Sequence, residues 1–220
     1  MKDARIGTVA MVTAAVMLGH QVAGKAFRDS FFLSHFPAEM LPRVGIAAAA
    51  LTVVFVLVFS RFMRRFGPSR VVPAGFFLSA VLHVVEHFHA QDAPAAWSLV
   101  IYFHIVALGA ILLSGFWSLM AEAFNPRAAK RIFGRIAGFG TLGGILGGLL
   151  ATRFSSASVL LLLAAFHLSC SVLLASAKGA APAPVRESRE DSLSPVRLLR
   201  RAPYLGMIAL VVVAGPSSAF

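Results

Sequence analysis

Apolar residues run through this chain in six long blocks, at residues 5–24, 44–62, 71–88, 97–121, 136–151 and 156–177, and a seventh opens at Tyr204. Most of the six reach the approximately 20 residues that a helix, rising about 1.5 Å per residue, needs to cross a hydrocarbon core about 30 Å thick. Helix is the economical way for such blocks to pair their own backbone N–H and C=O groups in lipid, so the fold expected is all-α. The pattern predicts a polytopic transmembrane helix bundle of six spans over residues 1–177.

The polar positions between the blocks are unevenly distributed. The amino terminus (Lys2, Arg5), the second-to-third gap (Arg61, Arg64, Arg65, Arg70), the fourth-to-fifth gap (Arg127, Lys130, Arg131, Arg135) and the segment after the sixth block (Lys178, Arg186, Arg189, Arg197, Arg200, Arg201) hold all but four of the 20 Lys and Arg. The other side has only Lys25, Arg28, Arg43 and Arg153. Short basic loops resist translocation, so the basic side is expected to be cytoplasmic, amino terminus included, in a multi-pass protein of the inner (plasma) membrane.

Composition sharpens this picture. A mean hydropathy of +0.81 excludes a soluble domain. The net charge of +11 does not point to nucleic acid. Its residues lie in short loops beside apolar spans, where they set topology and meet anionic headgroups of the bilayer. The single cysteine, Cys170, lies within the sixth block, so neither a disulfide framework nor a cysteine metal site is expected. The first block is long and shows no small-residue cleavage site before Lys25, which argues against a cleavable signal peptide.

From Lys178 to Pro203 the chain turns to Ala, Pro, Ser and charge, which cannot bury a core and reads as a cytoplasmic linker. Residues 204–220 read as the start of a seventh transmembrane helix, broken off after Pro216. Six spans, a long charged cytoplasmic loop and a new span form the layout of the major facilitator architecture, whose two six-helix halves surround a site at mid-membrane. On this reading the chain is the amino-terminal half plus the start of helix seven, and the carboxy-terminal half of the same transporter is its expected partner.

Two segments bear on chemistry. Lys25-Ala-Phe-Arg28-Asp29-Ser-Phe-Phe-Leu closes the first span, and Phe116-Trp117-Ser-Leu-Met-Ala-Glu-Ala-Phe-Asn-Pro-Arg-Ala-Ala-Lys130-Arg131-Ile-Phe133-Gly134 runs from the fourth span into a glycine-rich fifth. The first resembles the basic-x-x-basic-Asp segment in helix one of the ATP/ADP translocases of plastids and obligate intracellular bacteria. The second is similar to that family's Phe-Trp, Ala-Lys-Arg-Phe and Gly-x-Gly sequence at the end of helix four and into helix five. The resemblance covers about 35 residues, with the span layout in register around them. It implies an antiporter that exchanges ATP and ADP and needs no cofactor. That family carries a glutamate in helix four that is implicated in transport, where this chain has Tyr102 and His104.

Helical spacing alone puts Lys25, Arg28 and Asp29 on one side of a helix, three and four residues apart. Two cations with one carboxylate suit a polyanion such as a nucleotide phosphate chain, the carboxylate aligning the cations while the site is empty. The plainer reading places Lys25, about 20 residues after Arg5, at the outer interface with its amine in water. His20 and Gln21, one turn deeper, are expected to face other helices and not lipid.

The third block ends in His83-Val-Val-Glu86-His87-Phe-His89, which contains the H-x-x-E-H pattern of inverted zincins. A peptidase needs a third ligand, yet Asp92 lies in the adjoining loop and Glu122 ends the fourth block across the membrane. An outer-face polar cap is therefore the expectation. A membrane metallopeptidase and a proton-coupling role for Glu86 are the alternatives. Gly138-Phe-Gly140-Thr-Leu-Gly143 spells G-x-G-x-x-G but lacks the strand and the later acid that dinucleotide binding requires. The glycines recur four apart instead, at Gly134/Gly138, Gly140/Gly144, Gly143/Gly147 and Gly144/Gly148, which makes a smooth face for close helix packing.

Glu122 with Arg127, Lys130 or Arg135 forms either a cytoplasmic ion-pair latch or a solvated acid beside topology-setting cations; such surface pairs contribute about 0–1 kcal/mol. The Arg61–Arg70 stretch occupies the place of the facilitator signature loop without its usual aspartate. Taken together, the expected function is a facilitator-type membrane transporter for a small anionic solute, nucleotide by resemblance, and not an enzyme. The expected substrate contacts are Lys25, Arg28 and Asp29, with His104 facing the same cavity. Glu122, Arg127 and Lys130 are the expected gating residues, and no metal is expected. The alternatives are a non-transporting membrane anchor or regulatory module and the metallopeptidase.

Overall fold

The computed structural model describes residues 2–153 and 156–177; the linker expected over 178–203 and the seventh helix expected from 204 lie outside the described residues. The described chain is helical with no strand, in six α-helices: α1 Lys2–Leu33, α2 Leu41–Phe66, α3 Pro68–His89, α4 Pro94–Ala123, α5 Pro126–Ala151 and α6 Ser156–Ser176, with a short 3-10 helix at Ala38–Met40. All six are long and apolar enough to cross a membrane, so the chain is a multi-pass helical membrane protein.

The helices outrun the apolar blocks because breakers, and not hydropathy, decide where helix stops. No Gly or Pro interrupts Lys25 to Leu33, so α1 carries its charged segment as continuous helix. The second-to-third loop shrinks to one residue. Gly67, at φ +81°, closes α2 and Pro68 opens α3, leaving Arg61, Arg64 and Arg65 on α2 and Arg70 on α3. Glycine adopts that φ without a Cβ penalty, and proline at a first helical position gives up an N–H that has no helical partner. At the start of α5, Asn125 caps the helix by accepting from the Ala128 N–H at 2.9 Å.

α1 packs against α5, α6 and α4, while α3 packs against α6 and α4. α2 contacts α3 and α4 and exposes Val53, Val54, Leu57 and Phe62, an apolar face suited to lipid. Glycines let α1 and α5 approach closely: a Cβ on Gly143 would overlap the backbone of Ala15, and one on Gly147 would overlap that of Gly19. Gly140 and Gly144 lie against Leu18 and Val22. At Gly134 and Gly138 an added Cβ would meet nothing within 4 Å, so the close contact begins only at Gly140.

Three apolar clusters fill the bundle: Phe32, Val44, Ala48 and Tyr102 form one where α1, α2 and α4 meet, and two more involve α6. One includes Met17 of α1, Phe76 of α3, Leu112 and Phe116 of α4, and Cys170 of α6. The other includes Ala23 and Phe27 of α1, Ile101 and Ile105 of α4, and Leu160 and Leu163 of α6. On α1 and α6 the residues between the two clusters include His20 and His167, which marks a polar layer inside the bundle.

A buried histidine ring and a charged groove

The polar layer is a connected ring. Ser79, His83 and Glu86 stand three and four residues apart on α3 and share one face, turned inward. Glu86, 2% exposed, accepts from His83 Nδ1 at 2.7 Å and from His104 Nδ1 of α4 at 2.6 Å. His104 Nε2 lies 2.8 Å from Ser79 Oγ, which lies 2.7 Å from His167 Nδ1 of α6. On the other side His83 Nε2 lies 2.9 Å from His20 Nε2 of α1. The rings of His20 and His167 close the circuit by stacking at 3.4 Å between centroids, 16° from parallel. Four helices thus meet in one polar circuit whose members are all buried.

A carboxylate only accepts, and this fixes proton positions around the ring when the imidazoles are neutral. His83 and His104 donate from Nδ1 to Glu86, so each turns a lone pair outward at Nε2. His83 Nε2 then accepts from His20, and His104 Nε2 accepts from the Ser79 hydroxyl, whose oxygen accepts from His167 Nδ1. The two ends of this chain are bare lone pairs, at His20 Nδ1 and His167 Nε2. Those two nitrogens, with Thr13 Oγ1, are the buried side-chain atoms without a hydrogen-bond partner among the described residues.

The charged groove lies on another face of α1. Lys25, Arg28 and Asp29 line a groove of about 680 Å³ with Gln21, and Ile105, Val106, Ala110 and Leu113 of α4 form its apolar wall. Arg28 is held on two sides: its guanidinium pairs with Asp29 Oδ1 at 2.7 Å and lies 4.6 Å from the centre of the Tyr102 ring. Lys25 is exposed and makes no ion pair among the described residues. Asp29 therefore orients its sequence neighbour Arg28 and not Lys25. Gln21 donates to the Gly109 carbonyl at 3.0 Å, where the absent side chain leaves room for its amide.

Several expectations change. His104 does not line the charged groove; Ile105 does, and the turn between adjacent helical positions points His104 instead at Glu86 and Ser79. His83 and Glu86 are not an outer-face cap, because α3 continues to His89 and their face packs inside the bundle. At the α3–α4 turn itself, His89 lies 3.3 Å from Asp92 and stacks on Trp97. His87 is half-buried beside Phe88. Glu122, Arg127 and Lys130 are exposed at the junction of α4 and α5, and no ion pair joins them among the described residues. His20 and Gln21 do face other helices. Ser79 and His167 were not visible as site residues in the sequence, since a serine and a lone histidine in apolar helices carry no spacing signal.

Comparisons with protein-family models, with curated proteins and with solved structures give no match for this chain.

Proposed function

We propose that this bundle is the amino-terminal half of a facilitator-type transporter that carries a small anionic solute, with ATP/ADP exchange as the first candidate. The observation that supports it most is the groove that Lys25, Arg28 and Asp29 line together. An entering phosphate competes with Asp29 for a guanidinium already aligned by that carboxylate and by Tyr102, and charge-assisted contacts of this kind are the strong ones. The apolar α4 wall lowers the local dielectric and strengthens attraction to an anion. The likeness of the Lys25–Leu33 and Phe116–Gly134 segments to ATP/ADP translocases supports nucleotide over other anions.

The groove shares Val22 and Leu113 with a second, apolar groove that reaches Trp117, Ile136 and Thr141 across α1, α4 and α5. A carboxy-terminal half suits this face as its cover. The charge asymmetry supports a cytoplasmic amino terminus and a cytoplasmic Glu122–Lys130 junction. Glu122, Arg127 and Lys130 then sit at the cytoplasmic rim, where they pair only in a conformation closed on that side.

The experiment is uptake of labelled ATP, ADP and phosphate by the full-length protein in proteoliposomes, with Lys25→Ala and Arg28→Ala alongside. Uptake that needs both cations supports the assignment. Uptake of none of the three removes the nucleotide assignment and leaves an unidentified solute, or a membrane anchor or regulatory module.

A further inference from the structure

We propose that the buried histidines form a divalent transition-metal site, with His20, His83 and His167 as the nitrogen ligands and with Glu86 and Ser79 holding two of the ligand rings. The inference stands apart from the charged groove and does not depend on anion transport.

Each of the three histidines, all fully enclosed in the bundle, brings a ring nitrogen within 4.8 Å of the others. Nitrogens bound at about 2.0 Å to a tetrahedral ion lie about 3.3 Å apart. His20 Nε2 and His83 Nε2 lie 2.9 Å apart, within a few tenths of an ångström of that separation. The outer atoms are also arranged as a metal site arranges them. A ligand histidine characteristically donates its second ring N–H to a carboxylate or similar acceptor, which fixes the tautomer and aims the free lone pair. His83 gives Nδ1 to Glu86, and His167 gives Nδ1 to Ser79. Nε2 is therefore the nitrogen each has left to offer.

The two buried nitrogens without partners point the same way. A buried lone pair with nothing to bind costs about 1–3 kcal/mol, and this interior leaves two of them on stacked rings, His20 Nδ1 and His167 Nε2. A cation takes the bare His167 Nε2 lone pair directly, and ligation at His20 Nε2 moves that ring's proton to Nδ1, so the His20–His83 hydrogen bond gives way to two metal bonds. Ligation turns the His20 and His167 rings out of their stack so that their lone pairs converge, a rotation about χ2, which is a soft torsion for histidine.

A second candidate group, His83, Glu86 and His104, is a weaker reading because each of its nitrogens already faces a carboxylate oxygen at 2.6–2.7 Å. Three imidazoles without a thiolate select zinc, copper, nickel, cobalt or iron over magnesium and calcium, which take oxygen ligands.

The test is titration of the chelator-treated, detergent-purified full-length protein, without an affinity tag, with Co²⁺ followed by Zn²⁺. The expected result is one equivalent of Co²⁺ with the visible absorption of a nitrogen-ligated centre, displaced by Zn²⁺. His83→Ala and His167→Phe abolish that spectrum, and Glu86→Gln, which keeps the shape and removes the ring-orienting charge, weakens binding about 10- to 100-fold. His87→Ala, on the same helix but outside the set, leaves it unchanged. Elution and helical circular dichroism establish that each variant is folded, and Glu86→Gln carries the test if either histidine variant is not. Failure of the folded wild type to bind Co²⁺ or Zn²⁺ overturns the proposal. So does binding that survives Glu86→Gln or His83→Ala unchanged, or that is lost in His87→Ala.

Discussion

Glu86→Ala tests whether the polar ring forms. The alanine removes the acceptor shared by His83 Nδ1 and His104 Nδ1, at 2.7 and 2.6 Å, inside a bundle where Glu86 is 2% exposed. Two donors left without partners cost about 1–3 kcal/mol each, or about 2–6 kcal/mol together. Side-chain hydrogen bonds measured between membrane helices average about 0.6 and reach about 1.7 kcal/mol each, which gives about 1–3 kcal/mol for two. The ranges overlap at about 2–3 kcal/mol, a shift of roughly 30- to 150-fold in the unfolding equilibrium. Reversible unfolding of the purified protein in mixed detergent reads this directly. Glu86→Gln is the control: its amide donates to one imidazole and accepts from the other, with one branch of the ring reversing its protons, so the number of bonds is kept. An alanine variant within about 0.5 kcal/mol of wild type, the scale of a surface substitution, refutes the ring.

Two further outcomes follow from packing and surface charge. Gly143→Ala places a Cβ against the Ala15 backbone and should destabilise by about 1–3 kcal/mol through overpacking, whereas Gly138→Ala meets open space and should stabilise by about 0.5–1 kcal/mol as a better helix former; thermal unfolding in detergent compares them. Glu122→Gln removes an exposed carboxylate that pairs with neither Arg127 nor Lys130 in this structure, so stability should change by less than about 0.5 kcal/mol. A change in uptake rate at unchanged stability would assign the gating role.

The bundle was legible in the sequence because each span announces itself by hydropathy, and breakers at Gly67, Pro68 and Pro126 set junctions that hydropathy alone placed three to ten residues away. The α1–α5 contact was legible only in part. Glycines four apart are necessary for close approach, but Gly134 and Gly138 satisfy the spacing while facing no helix. The charged groove was legible because its three polar groups sit within one turn or so of a single helix.

The ring was not legible, because its members come from four helices and only Ser79, His83 and Glu86 share a local period. The H-x-x-E-H match drew attention to His87, whose neighbour two turns back on the inward face, Ser79, belongs to the site instead. A depth argument could have found it: in antiparallel spans, His20, His104 and His167 each lie about ten or more residues from the helix end on the side of the α3–α4 turn, and so at similar height. What places them face to face is the rotation of each helix about its axis, which tertiary packing sets and sequence period does not.

The central functional claim is that the α1 groove binds a polyanion, and equilibrium binding of labelled ATP to the full-length protein in lipid nanodiscs tests it most directly. Replacing Arg28 by Ala removes a charge-assisted contact worth about 1.5–3 kcal/mol, so ATP affinity should fall by roughly 10-fold or more, and Lys25→Ala should weaken it in the same direction. Wild-type binding that is unaffected by either substitution, or no binding of ATP, ADP or phosphate at all, would contradict the account.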